Sequence, residues 1–268
     1  MCGRFTLKTP VIDWLYSLFP EDLALLEPLA RAMQRANPLL AAARYNISPT
    51  QPVWGITQIR REHPVSFDEL SVQGHPIRML RWGLIPAWAD STKVAYSMIN
   101  ARAETIFEKP SFKNLIQFHR CVIVADGYYE WQRPSDELQS RGAKQPFWIH
   151  RPEEKPFAIA GLWTENRKVQ PTQVLESTTI ITTEANEDTS QVHDRMPVLL
   201  PDGEAIERWL STDTDLEEIT AMLVPAKKGF LQSRAVSPQV NSPRHDGPQL
   251  IYSLGKNTQQ EQANGDGR

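Results

Sequence analysis

The chain has 268 residues, a formal net charge of −3, 40% hydrophobic and 23% charged residues, a composition typical of a globular protein with a full core. It has no run of 18 apolar residues and no apolar segment typical of a secretory signal at its start, so we expect no membrane span and no export. Its two cysteines, Cys2 and Cys121, exclude a disulfide scaffold and a four-cysteine zinc site, and we expect a cytoplasmic protein.

Positive charge is concentrated in the middle of the chain. Residues 77–133 contain eight Lys or Arg and five Asp or Glu, a surplus of three that leaves −6 for the remaining residues. The overall charge argues against a general polyanion-binding protein. The central surplus is still compatible with a local basic groove.

Two helices are predicted near the start of the chain. Thr9-Pro10 is typical of a helix N-cap followed by proline at the first helical position, and apolar residues at helical spacing predict a helix over residues 10–19. A second helix is expected over Glu21–Met33, and Pro28 should bend or split it.

Four short apolar or β-branched runs predict strands: Cys121–Ala125, Phe147–His150, Phe157–Ala160 and Thr178–Thr183. A capping-box pattern, Thr214–Glu217, predicts a further helix to about Leu223. Helices do not alternate regularly with strands, which argues against a doubly wound parallel fold. We therefore predict one α+β domain over residues 2–254, with mixed or antiparallel sheet and peripheral helices, and a disordered polar tail over 255–268.

Cys2 follows the initiator methionine, which is normally removed when the next residue is small. The mature chain is then expected to begin with an α-amine and a thiol on one residue, with reference pKa values of about 7.7–8.0 and about 8.5. Such an aminothiol forms a Schiff base with an aldehyde, and its sulfur closes on the same carbon to give a thiazolidine ring. The alternative is that Cys2 is simply the second residue of a strand.

The segment from Arg81 to Thr105 mixes tryptophan with arginine. Trp82 and Trp88 beside Arg81 and Arg102 suit single-stranded nucleic acid, because bases stack on aromatic rings while guanidinium groups hold phosphates. The alternative is that the tryptophans belong to the core and the arginines to the surface.

Three polar residues of the same segment alternate along the chain. Asn100, Arg102 and Glu104 would share one face of a strand, which suggests that they line a groove. Lys113 would extend the same positive field, unless it is an ordinary solvated lysine.

Two further residues are candidates for proton transfer. Glu130 lies between Tyr129 and Trp131, where burial would raise its pKa, unless it is a solvated turn carboxylate. His193 would form a peptidase-like pair with Cys2 if the two meet, and otherwise it is structural. The other histidines show no metal-ligand spacing, so we predict no metal and no cofactor.

Nine segments, in chain order, resemble the SRAP family (SOS response-associated peptidase, or abasic-site processing proteins). They are MCGRF, RYNISPTQ, RWGLIPAW, INARAET, ADGYYEW, AGLW, IITTEAN, HDRMPV and VNSPRHDGP. The resemblance covers about residues 2–252 and implies bifurcated sheets that form a pseudo-barrel around a central channel. It also implies that the protein senses abasic sites in single-stranded DNA and traps their aldehyde as a covalent crosslink.

The resemblance also implies a role for individual residues. The reacting positions are Cys2 as nucleophile, Asn100 as the positioning asparagine, Glu130 as the proton-transferring glutamate and His193 as the histidine against the sugar oxygen. The positions that contact DNA are Arg4, Pro49, Arg81, Trp88 and Arg102, with Lys113 extending their field. Relatives often have a further arginine after NARAET, where this chain offers only Lys109, and residues 60–73 look like a local addition.

Three functions follow from these patterns. The first is a covalent trap for abasic single-stranded DNA, to which strand-cleaving lyase chemistry through the Schiff base would belong. The second is a cysteine peptidase that uses Cys2, Glu130 and His193, and the third is a non-catalytic single-strand binder. A trap needs both the amine and the thiol, a peptidase needs only the thiol, and a binder needs neither. We expect a monomer whose partner is abasic single-stranded DNA.

Overall fold

A computed structural model describes residues 2–19, 23–59, 70–132 and 144–254. Over these ranges the chain forms two β-sheets, six α-helices and several short 3-10 turns. The helices are α1 (Val11–Leu18), α2 (Leu23–Ala36), α3 (Pro38–Ala41), α4 (Leu115–Phe118), α5 (Gly203–Leu210) and α6 (Leu216–Met222). The predicted α+β class with mixed sheet is confirmed.

The first sheet contains the N-terminal strand, which positions Cys2. Its strands in spatial order are β14 (Gln232–Ala235), β9 (Gln145–His150), β8 (Gly127–Gln132), β1 (Arg4–Leu7) and β2 (Arg44–Ile47). β1 runs antiparallel to β8, and Arg4 lies opposite Tyr129. Cys2, two residues before Arg4, therefore lies next to the end of β8 that carries Glu130.

The second sheet closes on itself. Its main path is β12 (Arg195–Pro197), β11 (Leu175–Glu184), β10 (Phe157–Asn166), β7 (Arg120–Ala125), β3 (Pro52–Thr57), β5 (His75–Trp82) and β4 (Ser71–Val72), while β6 (Asn100–Arg102) pairs with β11 and β13 (Leu199–Leu200) with β10. β11 also pairs in parallel with β5, through Ser177 opposite Arg81. The strands β11, β10, β7, β3 and β5 thus form a closed mixed barrel, as the pseudo-barrel prediction requires.

Trp82 packs beneath the N-terminal strand. Its fully buried ring meets Phe5 edge-to-face, with 5.0 Å between the ring centroids. Its indole N–H donates to the carbonyl of Ile99, the residue before β6, over 3.0 Å. Trp82 therefore links the strand that follows Cys2 to the strand that carries Asn100. For Trp82 the core interpretation is the correct one, because the ring has no exposed face on which a base could stack.

Asp126 holds the chain that leaves β1. Its carboxylate accepts hydrogen bonds from the backbone N–H groups of Lys8 and Thr9 and from the Thr9 hydroxyl. The Thr9 hydroxyl therefore bonds to Asp126 and does not cap the helix. The N-cap residue of α1 is Pro10, which has no side-chain hydroxyl. The predicted helix over residues 10–19 is confirmed, but its predicted Thr9 cap is wrong.

The other two predicted helices are confirmed, and the structure changes one detail of each. α2 continues through Pro28 rather than splitting there. α6 is capped by Asp215, whose carboxylate accepts from the backbone N–H of Glu218 over 2.8 Å, whereas the Thr214 hydroxyl donates to the carbonyl of Arg208. The capping-box prediction was wrong by one residue, because Thr214 has a partner outside its own helix.

The four predicted strands are confirmed, and all of them are longer than expected. β6 ends at Arg102, however, and Glu104 lies in the 3-10 turn Ala103–Thr105 that follows. The prediction of one strand face shared by Asn100, Arg102 and Glu104 was therefore wrong for Glu104.

The tail 255–268 and residues 60–69 of the local addition lie outside the described residues. In the part of the chain that the structure covers, no helix is long and apolar enough to span a membrane.

Candidate active site

Cys2 is held from the side of the barrel by Asn100. The amide Nδ2 of Asn100 donates to the carbonyl of Cys2 over 2.8 Å. Asn100 is itself placed by β6, where it lies opposite Ile180 of β11. Its second amide atom, Oδ1, is buried and accepts no hydrogen bond from the described residues. Asn100 therefore fixes the backbone of Cys2 and leaves a buried acceptor beside it.

Glu130 is a buried acid on β8. Its side chain is nearly inaccessible, since the residue is only 2% exposed. Burial raises the pKa of Glu130 to about 7, and the negative charge of Asp194 acts in the same direction. The expectation of a desolvated carboxyl is confirmed, and the solvated turn alternative was wrong. Near neutral pH this group exists in both protonation states, which is the property that a proton shuttle needs.

His193 lies against Glu130. Its Nε2 is 3.7 Å from a carboxyl oxygen of Glu130, just beyond hydrogen-bond distance. The other ring nitrogen, Nδ1, accepts from the backbone N–H of Arg195 over 3.0 Å and is 2.9 Å from a carboxyl oxygen of Asp194. The ring is about one quarter exposed, so it is accessible at the edge of the cluster.

The Cys2 thiol is buried beside these groups. Burial raises its pKa above the ordinary value, and the negative charge of Glu130 raises it further. The neutral thiol therefore predominates, and a proton acceptor is needed before the sulfur can act as a nucleophile. The structure brings the four predicted reacting residues together. Asn100 hydrogen-bonds to the Cys2 backbone, and the charge of Glu130 raises the pKa of the Cys2 thiol. His193 lies next to Glu130, at 3.7 Å.

Arg4, predicted to contact DNA, is engaged within the protein. Its guanidinium donates to Asn46 Oδ1 over 2.9 Å and to the carbonyls of Val240 and Asn241 over 3.0 and 2.9 Å. These bonds fasten Val240, Asn241 and the β2 residue Asn46 to β1. The structure thus gives Arg4 a structural contact that the sequence pattern did not indicate, while its role toward DNA stays a prediction.

Arg81 and Pro49 lie close together at one end of the barrel. Arg81 donates to the carbonyl of Thr50 over 3.1 Å, and its Nε is buried with no acceptor among the described residues. Thr50 has a φ of 76°, a left-handed conformation that costs energy for a β-branched residue and shapes the turn after Pro49. The turn is anchored to β5 because Thr50 N–H donates to the carbonyl of Trp82 over 2.8 Å.

The other predicted DNA contacts are on the surface. Trp88 is 59% exposed, which is unusual for so large an apolar ring and leaves a face open for stacking. Arg102 and Lys113 are also exposed. In the parts of the chain that the structure describes, neither Trp88 nor Lys113 hydrogen-bonds to the residues around Cys2.

The sequence pattern missed one pair of residues at the site. Arg195 donates to both carboxyl oxygens of Glu104, over 2.5 and 2.9 Å. Hydrogen bonds from Arg195 hold the pKa of Glu104 below its usual value. The sequence indicated Glu104 only as a residue that lines a groove and Arg195 only as a residue two positions after His193, and nothing in the sequence connected the two.

The chain is similar to known proteins over most of its length. The family model of the SOS response associated peptidase (SRAP) matches residues 1–243. The abasic site processing protein YoqW of Bacillus subtilis (strain 168) is 37% identical over 254 residues, which cover 94% of this chain and 100% of that protein. The abasic site processing protein HMCES of Gallus gallus is 34% identical over 201 residues, 65% of this chain and 56% of that protein.

Solved structures share the architecture. A protein from Bacteroides thetaiotaomicron superposes with a TM-score of 0.72 at 23% identity, covering 94% of this chain and 100% of that chain. The matched range, residues 1–243, spans all four residues clustered at Cys2, as well as Glu104 and Arg195. The chain therefore belongs to the SOS response associated peptidase (SRAP) family.

Proposed function

We propose that the protein senses abasic sites in single-stranded DNA and traps them as a covalent thiazolidine crosslink through Cys2. The observation that carries the proposal is the environment of Cys2, whose backbone is held by Asn100 and whose thiol lies beside a buried acid with a pKa of about 7. The names of YoqW and HMCES support abasic DNA as the substrate.

The reaction joins an aldehyde to an aminothiol. After removal of Met1, the α-amine of Cys2 adds to the aldehyde of the ring-opened abasic sugar and gives a carbinolamine. Protonation of the carbinolamine hydroxyl lets it leave as water, and an imine remains. The Cys2 sulfur then adds to the imine carbon, a proton reaches the nitrogen, and the thiazolidine ring is closed. One water is released and nothing is oxidised or reduced, so the chemistry needs no redox cofactor.

Glu130 is the group that moves these protons. As an acid it protonates the departing hydroxyl, and as a carboxylate it takes the proton of the thiol. Its pKa of about 7 makes both states available near neutral pH. The raised pKa of the Cys2 thiol makes such a base necessary for ring closure. Acid–base catalysis of this kind typically contributes about 10²–10⁴ in rate.

Asn100 and His193 orient the reactants. Asn100 fixes the Cys2 backbone through Nδ2, and its buried Oδ1 is an acceptor for a donor such as the Cys2 amine. His193 reaches Glu130 from the more exposed side, where a ring-opened sugar would enter, and would stabilise the sugar oxygen.

The DNA strand would be held by the exposed cations and the open aromatic ring. The residues proposed to contact it are Pro49, Arg81, Trp88, Arg102 and Lys113. Arg4 is proposed as a further contact, although its guanidinium already donates to the carbonyl of Val240. Because the chain has a net charge of −3, we expect few phosphate contacts and a modest salt dependence.

A peptidase that uses Cys2, Glu130 and His193 is the second candidate, favoured by the family description and by the proximity of Glu130 both to the Cys2 thiol and to His193. Thiol peptidases depend on a thiolate with a lowered pKa, whereas the pKa of the Cys2 thiol is raised. A lyase reaction would use the same imine as the trap. The thiol environment therefore favours the trap.

The test is incubation with an oligonucleotide that contains one abasic site, followed by a denaturing gel. Wild type should give a denaturant-stable adduct, Cys2→Ala should give none and still bind single strands, and Cys2→Ser should give only an imine that borohydride captures. Cys121→Ala, which removes the other buried thiol, is the matched control and should crosslink fully. A stable adduct with Cys2→Ala would disprove the thiazolidine.

The amine is tested separately by a tag fused before Cys2. The tag converts the α-amine into an amide, so the adduct should disappear even though the thiol is intact. Mass spectrometry of the untagged protein should show a chain that begins at Cys2. Full crosslinking by a chain that retains Met1 would contradict the proposed mechanism.

A further inference from the structure

The ion pair between Glu104 and Arg195 spans the strand that supports the site. Arg195 donates to both carboxyl oxygens of Glu104, and one guanidinium nitrogen also donates to the carbonyl of Thr182 over 2.7 Å. The Arg195 side chain is only 14% exposed, against 50% for Glu104. A bidentate pair with one partner so well covered has a single geometry, unlike a solvated surface pair.

The two partners belong to opposite edges of β11. Thr182 lies opposite Arg102 of β6 on one edge and opposite Pro197 of β12 on the other. Glu104 lies two residues after the end of β6, which carries Asn100, and Arg195 begins β12, two residues after His193. The ion pair therefore ties the strand that holds Cys2 through Asn100 to the strand that presents His193.

The backbone of Arg195 also contacts the His193 ring. Its backbone N–H donates to Nδ1 of His193, so a neutral ring carries its proton on Nε2, the nitrogen that faces Glu130. A carboxyl oxygen of Asp194, whose side chain is 89% exposed, lies 2.9 Å from the same Nδ1 and would accept a hydrogen bond from it if the proton were there instead. The Arg195 backbone N–H opposes that alternative, because it can donate only to an unprotonated Nδ1, and so it favours the neutral ring with its proton on Nε2, on the side of Glu130.

We propose that Glu104 and Arg195 are positioning residues that hold His193 in this tautomer and orientation, an inference that rests on the proposed function for the reaction it serves. The carboxylate of Glu104 and the Thr182 carbonyl fix the guanidinium of Arg195, and the fixed side chain keeps the Arg195 backbone N–H on His193 Nδ1. Neither residue touches the reacting atoms, so both act through His193.

The first readout is spectroscopic and needs no reaction. Long-range 1H–15N correlation spectra of the full chain report the tautomer of each histidine, and His193→Ala identifies the signals of His193. Wild type should show the Nε2–H form. Glu104→Gln and Arg195→Lys should show a mixture of both forms, because neither variant keeps the bidentate pair. Glu27→Gln, which removes a comparable half-exposed carboxylate paired with Arg31, should match wild type.

The second readout is the single-turnover rate of crosslinking, measured beside the affinity for abasic-free single strands. Glu104→Gln and Arg195→Lys should each slow crosslinking about tenfold or more, since small misplacements of reacting groups are costly. Glu104→Gln should leave the affinity unchanged.

Two results would overturn the inference. One is a wild-type tautomer and a wild-type rate in Glu104→Gln. The other is tighter DNA binding by Glu104→Gln at an unchanged rate, which would mean that the Arg195 guanidinium serves phosphate and that Glu104 merely competes for it. If wild type forms no crosslink at all, the proposed function fails, and the tautomer comparison still decides the inference.

Discussion

Glu130→Gln should make the folded protein more stable above neutral pH and less active. Glu130 is 2% exposed, and its pKa is raised from 4.5 to about 7. The difference between a pKa of 4.5 and one of about 7 means that ionising this group costs about 3 kcal/mol more in the folded state than in the unfolded chain. This is a large fraction of the stability of an ordinary domain.

The sign follows from proton binding. Between about pH 4.5 and pH 7 the folded state holds the proton of Glu130 while the unfolded chain has lost it. The free energy of unfolding therefore falls as the pH rises through this window, and the loss is complete above the folded pKa. Glutamine is neutral at every pH, so the variant does not undergo this loss. The stability difference between variant and wild type should be smallest at pH 5 and larger by up to about 3 kcal/mol at pH 8.

Urea denaturation of both proteins at pH 5, 6, 7 and 8 measures this difference directly. Glu27→Gln is the matched control, because the same substitution at an exposed carboxylate of α2 should change stability little at any pH. A difference between Glu130→Gln and wild type that does not vary with pH would refute the assignment of a buried, ionisable acid. The same variant should crosslink about 10²–10⁴ times more slowly, so stability and activity would move in opposite directions.

Other substitutions test the remaining parts of the site. Asn100→Ala removes the bond to the Cys2 carbonyl and should slow single-turnover crosslinking about tenfold or more, with unchanged affinity for single strands. His193→Ala should also slow crosslinking, with a final yield that recovers over long times because Cys2 remains, whereas lost peptidase activity would not recover. Arg102→Ala should weaken single-strand binding and flatten its salt dependence by about 0.7 in log K against log salt, as titrations at several salt concentrations would show.

Residues far apart in the chain meet at the site, which explains what the sequence pattern missed. The strands Cys121–Ala125 and Thr178–Thr183 were predictable because their residues share local propensity, and the structure only lengthens them. Glu104 and Arg195 are separated by 91 positions, and their pairing depends on the register of β6 and β12 against β11. The Thr9 and Thr214 caps were wrong for the same reason, since each hydroxyl has a tertiary or loop partner that local rules ignore.

The sequence by itself determined the chemical groups and the family: an aminothiol at Cys2 and an ordered set of motifs that carry an asparagine, a glutamate and a histidine. Only the tertiary structure decided the hydrogen-bond partners and the pKa values of these groups. Asn100 reaches Cys2 across 98 positions of sequence, and the pKa of Glu130 rises because strands distant in sequence exclude water from it. In the folded chain Arg4 also donates a hydrogen bond to the carbonyl of Val240, 236 positions away in sequence. The burial of a side chain and its hydrogen-bond partners depend on every residue that surrounds it in space. Most of these residues are distant in sequence and come together only when the barrel has closed.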